Sequence, residues 1–450
     1  MVLTHDVERL LSMCYMIYNE YNRLVNAYVS DFYVQKHWNL LPKCWRESLE
    51  NLNPETLADI IDINKPLRSF QILPLSFLSL RQSIKCLSLP RMQNVSSIKT
   101  EFPISLIDEN IAAAERFKHL FWKRIKLKKR HEIELIAKMC YKLASETQCY
   151  YIVDVGSGLG HLSRILFYKY GLRVCALEAQ QYLSSEASKL DNTMENTMNY
   201  FDVCFNKNFR VIYLNVKIQT NSNGEDLLNA VKAAFDVDNI QFGIVGLHPC
   251  GDLGPTLLRL FNRSPQVKFI NIVGCCYMKL SSLGYPLSEY SITNKYSLEY
   301  SAREVACHAI EAYIKKLKSG KHNELKIHAY RAILEKLIVT KFPNLHHSQV
   351  ASVKCKDNLT FLEYCSKALS NLDIQLSESE LQSEEVKEDL SKWKNVVTFY
   401  SLRLMIAPLL ENIITLDRML YTSQSGYYYE LNSIFDPELS PRNQVFTAVK

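Results

Sequence analysis

Through the middle of the chain, short apolar runs that stop at a glycine or a turn alternate with longer amphipathic stretches. Tyr150–Val155, Arg173–Leu177, Arg210–Leu214, Ile240–Leu247 and Val267–Val273 are too short for helices and rich in β-branched residues. The segments between them are long enough for crossover helices, which predicts a mostly parallel sheet covered on both faces. Near the C-terminus, Tyr427–Ile434 and QVFTAVK (Gln444–Lys450) flank the turn-rich FDPELSPRN, and read as an antiparallel pair completing the same sheet.

Helical spacing governs the flanks. Leu10, Leu11, Cys14 and Ile17, then Trp38, Leu41, Trp45, Leu57 and Ile60, predict an N-terminal helical region over residues 1–100, closed by a linker at Pro90–Ser97. Trp38 and Trp45, either side of Pro42, read as packing residues. The sheet domain then spans 101–450, with a helical insertion over 284–425. Asp108–Glu146 is helical, first basic and then amphipathic, whereas the Asn-rich Ser184–Asn208 looks irregular, a peripheral insertion between the second and third strands. The apolar RLMIAPLLENIITL contains Arg403, Pro408 and Glu411. A span needs about 20 mostly apolar residues, so this stretch reads as a buried helix, and no membrane span is expected.

Composition narrows the class without naming a partner. The 450 residues are 47% hydrophobic and 22% charged with a net charge of +6, an ordinary globular balance that permits an anionic partner but does not require one. Thirteen cysteines, several within apolar runs, are sparse for a stapled secreted scaffold. Buried reduced thiols and a cytoplasmic or nuclear protein are expected.

The strongest chemical signal is YIVDVGSGLGHLSRIL, Tyr151–Leu166. A strand ends at Val155; Gly156, Gly158 and Gly160 permit a tight turn and close ligand approach, and a helix starts at His161. Glu178, at the end of the next strand, is placed to take both hydroxyls of a ribose. The spacing lacks the GxGxxG form that suits a pyrophosphate, and Asp154 beside the turn suits a cationic ligand. Together they favour S-adenosylmethionine over a dinucleotide, and with the strand rhythm predict an α/β, Rossmann-like sheet.

Two further strand ends, GLHPCGDL (Gly246–Leu253) and VGCCYMKL (Val273–Leu280), fall on the same carboxyl rim, where open α/β sheets bind ligands. His248 and Asp252 are candidates to orient the acceptor or remove its proton, and Tyr277 to pack against a planar group. His248, Cys250, Cys275 and Cys276 could supply soft metal ligands, but there is no CxxC pair and adjacent cysteines on a strand end tend to point apart. No metal site is expected.

These segments, with KKRHE (Lys128–Glu132), VDVGSGLGHLSR (Val153–Arg164), GYPLSE (Gly284–Glu289), AREVACHAIE (Ala302–Glu311), YRAILE (Tyr330–Glu335), LDRMLY (Leu416–Tyr421) and FDPELSPRN (Phe435–Asn443), resemble the methyltransferase-like 25 family. That family includes relatives named for a ribosomal RNA adenine dimethylase domain. The resemblance implies a seven-stranded methyltransferase fold dependent on S-adenosylmethionine, with Gly156, Gly158 and Glu178 as cofactor contacts. It further implies that KKRHE, through Lys129 and His131, closes over the cofactor. Leu159 departs from the family's usual lysine in the turn. The HPCGD segment and the cysteine pair are also similar to RNA 2′-O-methyltransferases of the transfer-RNA acceptor stem. The resemblance and the basic run Lys123–Arg130 make RNA the first acceptor to consider. A protein side chain or small molecule is the alternative, and a non-catalytic binding or structural module the third reading.

Overall fold

The computed structural model describes residues 4–67, 72–91, 121–122, 125–200, 209–220, 224–354 and 359–450. Lys123 and Arg124 of the basic run, most of the expected linker, residues 108–120 and residues 201–208 lie outside them. The chain divides into two units: residues 1–9, 90–297 and 414–450 form the sheet unit, and residues 10–89 and 298–413 the helical unit.

The sheet unit is built on seven strands in the order β3-β2-β1-β4-β5-β7-β6. These are β1 (Tyr151–Val155), β2 (Arg173–Glu178), β3 (Ile212–Asn215), β4 (Phe242–Cys250), β5 (Val267–Cys275), β6 (Tyr428–Ser433) and β7 (Gln444–Val449). The first five pair in parallel; β7 runs antiparallel between β5 and β6, as the alternation of the C-terminal segment predicts. Buried polar side chains help fix that register: Thr447 Oγ1 donates to Asn271 Oδ1 at 3.2 Å, from directly opposed positions. The helix Leu127–Glu146 turns Ile133, Ile136, Ala137 and Cys140 into the core beside Ile152, Leu166, Val174 and Phe269.

The Asn-rich segment departs from expectation. Gln181–Tyr200 is one continuous helix of 20 residues. Its buried stripe, Ser184, Ala187, Asp191, Met194, Glu195 and Met198, recurs at helical spacing but is half polar, which hides the period from a hydrophobic reading. Basic partners make that burial tolerable: Arg164 lies 3.6 Å from Asp191, and Arg210 2.9 Å from Glu195.

In the helical unit the N-terminal helices and residues 298–413, read from sequence as separate regions, cluster together. Trp45 is buried, donates from Nε1 to Ser76 Oγ at 2.8 Å and meets the Phe77 ring edge-on, the packing role expected of it. A second core gathers Tyr330, Ile333, Leu334, Phe361, Tyr364 and Val386. The helix Trp393–Ser423 is long and apolar enough to cross a membrane, yet 94% of its most apolar window is buried in the protein, as a core helix would be. Its last residues belong to the sheet unit, where Asp417 accepts from the Leu287 and Ser288 amides and the Ser288 hydroxyl, anchoring GYPLSE.

Candidate active site

The glycine turn follows β1. Gly156, Gly158 and Gly160 have φ of 73°, 58° and 69°, a backbone that side chains disfavour. A Cβ on Gly160 would stand 2.6 Å from the Tyr213 hydroxyl, whereas one on Gly158 would meet nothing within 4 Å. Gly160 is therefore required by the protein's own packing, and Gly158 faces open space. Glu178 braces the turn: its carboxylate accepts from the Gly158 amide and the Gln180 amide, both at 2.9 Å. Arg164 braces it from the helix side, donating to Leu159 O at 2.6 Å and meeting His161 Nδ1 at 2.9 Å.

The open space is a cavity of about 370 Å³, lined by Lys126, Lys128, Lys129, Glu132, Ile133, Asp154, Gly156, Ser157, Gly158, His161, Leu162, Leu247 and His248. Such a volume lies in the range of small-molecule sites, roughly 300–1,000 Å³. Its wall carries both signs of charge. Asp154 is buried; desolvation pushes its pKa up to about 6, against the opposing pull of the Ser163 hydroxyl, 2.5 Å away, and of Lys129. Burial, with Arg164 and Lys129 nearby, pushes the His161 imidazole down to about 3, so it is neutral.

Across the cavity, His248 Nε2 lies 3.1 Å from Glu132 Oε2. Glu132 is buried, which alone would raise its pKa; bonds from His248 and from Ser440 Oγ, 2.6 Å from Oε1, and the Lys128 charge outweigh that and hold it below the usual carboxylate range. In a neutral imidazole that gives Nε2–H to Glu132, Nδ1 keeps its lone pair, and Nδ1 of His248 is buried with no protein partner. His248 has φ of 67°, uncommon for a residue with a side chain, at a register shift where β4 leaves β5. Glu132 is missing from the candidates drawn from sequence. Its signal is faint: an acid one helical turn beyond Lys128, on the face that turns inward.

Other candidates go elsewhere. Asp252 accepts from the Ser281 amide and hydroxyl at 2.8 and 2.6 Å, so its carboxylate holds a loop rather than reaching the cavity. Tyr277 is buried with Arg418 and Arg442 within 6 Å of its ring centroid and does not line the cavity. His131 accepts from the Asp436 amide at 2.9 Å and ties the helix to the FDPELSPRN turn; Lys129 does line the cavity. The cysteines were expected to diverge. Instead Cys250, Cys275 and Cys276 bring their sulfurs within 3.7 Å of one another, because Cys276 is left-handed (φ 40°, ψ 52°) and turns back toward Cys275, which is paired with Cys250. The thiols of Cys275 and Cys276 hold Cys250 down to about 5, with Lys279 and His248 assisting against burial.

The sheet order and the glycine turn meet in the comparison with known families. Residues 128–283 match the family described as a methyltransferase domain. The probable methyltransferase-like protein 25 of Homo sapiens is 31% identical over 231 residues, covering 46% of this chain and 36% of the human protein. The probable methyltransferase-like protein 25 of Mus musculus is 31% identical over the same length, covering 37% of that protein. The match thus spans little more than a third of either relative. Among solved structures, the plantazolicin methyltransferase BpumL with SAH aligns at 9% identity and TM-score 0.21, over 64% of this chain and 89% of that one. BamL, with SAH and a triazolic desmethylPZN analog, aligns at 14% and 0.22, over 61% and 92%.

The cavity fits S-adenosylmethionine on its own features. Gly158 leaves room against the backbone, Ser157 Oγ and His248 Nδ1 are buried without protein partners, and the wall offers acids for an ammonium and lysines for a carboxylate.

Proposed function

We propose that the chain is an S-adenosylmethionine-dependent methyltransferase whose acceptor is a protein side chain or a small molecule rather than RNA. The observation that carries the reading is the mixed-charge cavity, lined by both open glycine backbone and the Glu132–His248 pair. Bound there, S-adenosylmethionine supplies an electrophilic methyl group on a sulfonium. Gly156 and Gly158 admit the nucleoside, Glu178 holds the turn and offers remaining lone pairs to a ribose, Asp154 takes the ammonium, and Lys128 or Lys129 the carboxylate. In-line transfer needs an acceptor lone pair free of its proton. His248 Nδ1 accepts that proton, while Glu132 fixes the tautomer and stabilises the imidazolium that results.

The basic run gives RNA less support than its composition suggests. Lys126, Lys128 and Lys129 line the cavity, and the Arg130 guanidinium donates to the backbone carbonyls of Ile125 and Trp122 at 2.8 and 2.7 Å. Those groups serve the donor site and the local backbone, not a phosphate track. Cysteines that are free thiols throughout the described residues suit a cytoplasmic or nuclear setting.

Calorimetric binding of S-adenosylmethionine, followed by transfer of labelled methyl into RNA, protein and small-molecule fractions of a cell extract, tests the reading. Label in protein or small molecules is expected. Label confined to RNA would overturn the acceptor class, and cofactor binding without transfer to any fraction would favour a binding module.

A further inference from the structure

None of the three clustered cysteines lines the methyl-donor cavity, and the cluster is left unused by the chemistry above. Cys250 is exposed at the end of β4; Cys275 and Cys276 are half-buried at the end of β5. Their sulfurs are separated by 3.3 Å (Cys275–Cys276), 3.4 Å (Cys250–Cys276) and 3.7 Å (Cys250–Cys275), and all are free thiols. Three sulfurs at this spacing form one triangular face. In tetrahedral zinc coordination, with bonds of about 2.3 Å, ligand sulfurs lie roughly 3.8 Å apart. The observed triangle is therefore at most about half an ångström too tight, a movement that side-chain torsions at an exposed rim can supply.

Local backbone supports the arrangement. Cys276 sits in the left-handed region, Gly251 after Cys250 has φ of 58°, and β4 shifts register between Leu247 and Cys250 so that Cys250 falls opposite Cys275. Three departures from regular strand geometry at two strand ends thus converge on one set of sulfurs. Weak S–H contacts are poor recompense for such strain. Among the described residues a second convergence, Asp31, Glu335, His346 and His347, contrasts with it: both imidazoles hydrogen-bond Asp31 there, so the set is satisfied without an ion.

We propose that Cys250, Cys275 and Cys276 form a three-thiolate site for one zinc ion, with the fourth position open to solvent or to an exogenous ligand. Among the described residues no fourth histidine, cysteine or carboxylate joins the cluster, and three protein ligands with an open position is the arrangement of accessible rather than purely structural zinc. Loading releases a proton from each sulfur still protonated, so uptake is pH-dependent. Lys279 lies close enough to Cys250 to offset part of the negative charge of a zinc–trithiolate. The site stands on its own geometry, whether or not the chain transfers methyl groups.

The test uses the full chain, reduced, stripped with a chelator and titrated with zinc sulfate against a chromophoric competitor, then with cobalt chloride. One equivalent of zinc and a thiolate-to-cobalt charge-transfer band with tetrahedral d–d bands are expected. C250S/C275S/C276S should lose that equivalent and that band while keeping the circular dichroism of the stripped wild type; C44S/C86S, which removes exposed thiols elsewhere, should keep both. Should the triple variant misfold, C250S alone serves, since loss of one exposed thiolate must weaken the charge-transfer band in proportion. The proposal is overturned if the verified-reduced wild type takes up no zinc, if C250S leaves the cobalt band unchanged, if a folded triple variant retains its equivalent, or if two of the three sulfurs form a disulfide that persists in freshly reduced protein.

Discussion

The two ends of the cavity are made by different means. At the proposed donor end, beneath β1 and β2, glycines do the turning: three left-handed positions fall on Gly156, Gly158 and Gly160, and Glu178 braces the turn through the Gly158 amide. At the proposed acceptor end, where β4 runs out, a residue with a side chain occupies comparable backbone. His248 is left-handed without being glycine, and β4 slips its register beside it. Glycine makes the turn inexpensive and leaves room for a ligand. A strained histidine costs about 1–3 kcal/mol and is held by its surroundings, here Glu132, itself held by Ser440. The donor end should therefore tolerate little chemically but survive as a fold, whereas the acceptor end should depend on distant support.

The largest effect expected on this contrast comes from removing that support. Ending the chain after Glu430 deletes β7, which lies between β5 and β6, and with it Ser440 and the Asp436 amide held by His131. The backbone edge of β5 and the apolar Ile270 and Ile272 lose their cover. Insoluble protein without a cooperative melt is expected in a solubility assay and thermal scan. A monomeric truncation that melts cooperatively and binds cofactor would show the acceptor end to be self-supporting.

At the donor end the loss should be of binding alone. Gly158→Arg places a side chain in the open space before the turn, where no protein atom stands within 4 Å, and adds the left-handed penalty of about 1–2 kcal/mol. The variant should fold with a modest fall in melting temperature and show no cofactor binding by calorimetry; unchanged affinity would displace the site. Glu178→Ala should weaken binding tenfold to a hundredfold, since a hydrogen bond to a charged group contributes roughly 1.5–3 kcal/mol.

Chemistry, not affinity, should fail when the acceptor end is altered directly. His248→Asn and Glu132→Gln are expected to lower kcat by about 10²–10⁴, the usual worth of general-base catalysis. Cofactor affinity should stay within a few-fold, and the fall in rate toward low pH that a general base imposes should be lost. A matched fall in folded fraction and activity would make the pair a structural prop instead.

The contrast also explains what could be read from sequence. The sheet, its C-terminal antiparallel pair and the donor turn were legible because apolar runs, glycines and an acid at fixed offset follow directly from strand geometry and nucleoside binding. The acceptor end was only half legible. His248 could be named, but its partner Glu132 sits more than a hundred residues earlier on a helix whose basic neighbours dominate the pattern. Asp252 and Tyr277 occupy the rim in sequence, yet Ser281 and two arginines draw their side chains away. The convergence of the cysteines depends on one left-handed residue, and nothing in the letters Gly-Cys-Cys-Tyr announces it. The helix Gln181–Tyr200 was missed because paired charges take positions that apolar residues usually hold.

The smallest effect, and the one that separates folding from binding at the donor end, belongs to Asp154. Its pKa rises from 3.8 to about 6 chiefly through burial, so the folded chain holds this proton more tightly than the unfolded chain does. The sign follows: Asp154's contribution is most favourable below about pH 3.8 and is lost as pH rises through about 6, then stays level. The span corresponds to at most about 3 kcal/mol. Asp154→Asn removes the titration and can still accept from the Ser163 hydroxyl, so the difference in urea stability between variant and parent should grow in the variant's favour from pH 4 to pH 6 and then level. Cofactor binding should run the other way. An ammonium beside Asp154 favours the ionised carboxylate, so parental affinity should climb with pH through about 6, while the asparagine variant binds more weakly and without that slope. Parallel slopes in both proteins would mean that Asp154 merely fills the strand end and that the ammonium is held elsewhere, with Glu132 the nearest remaining carboxylate on the cavity wall.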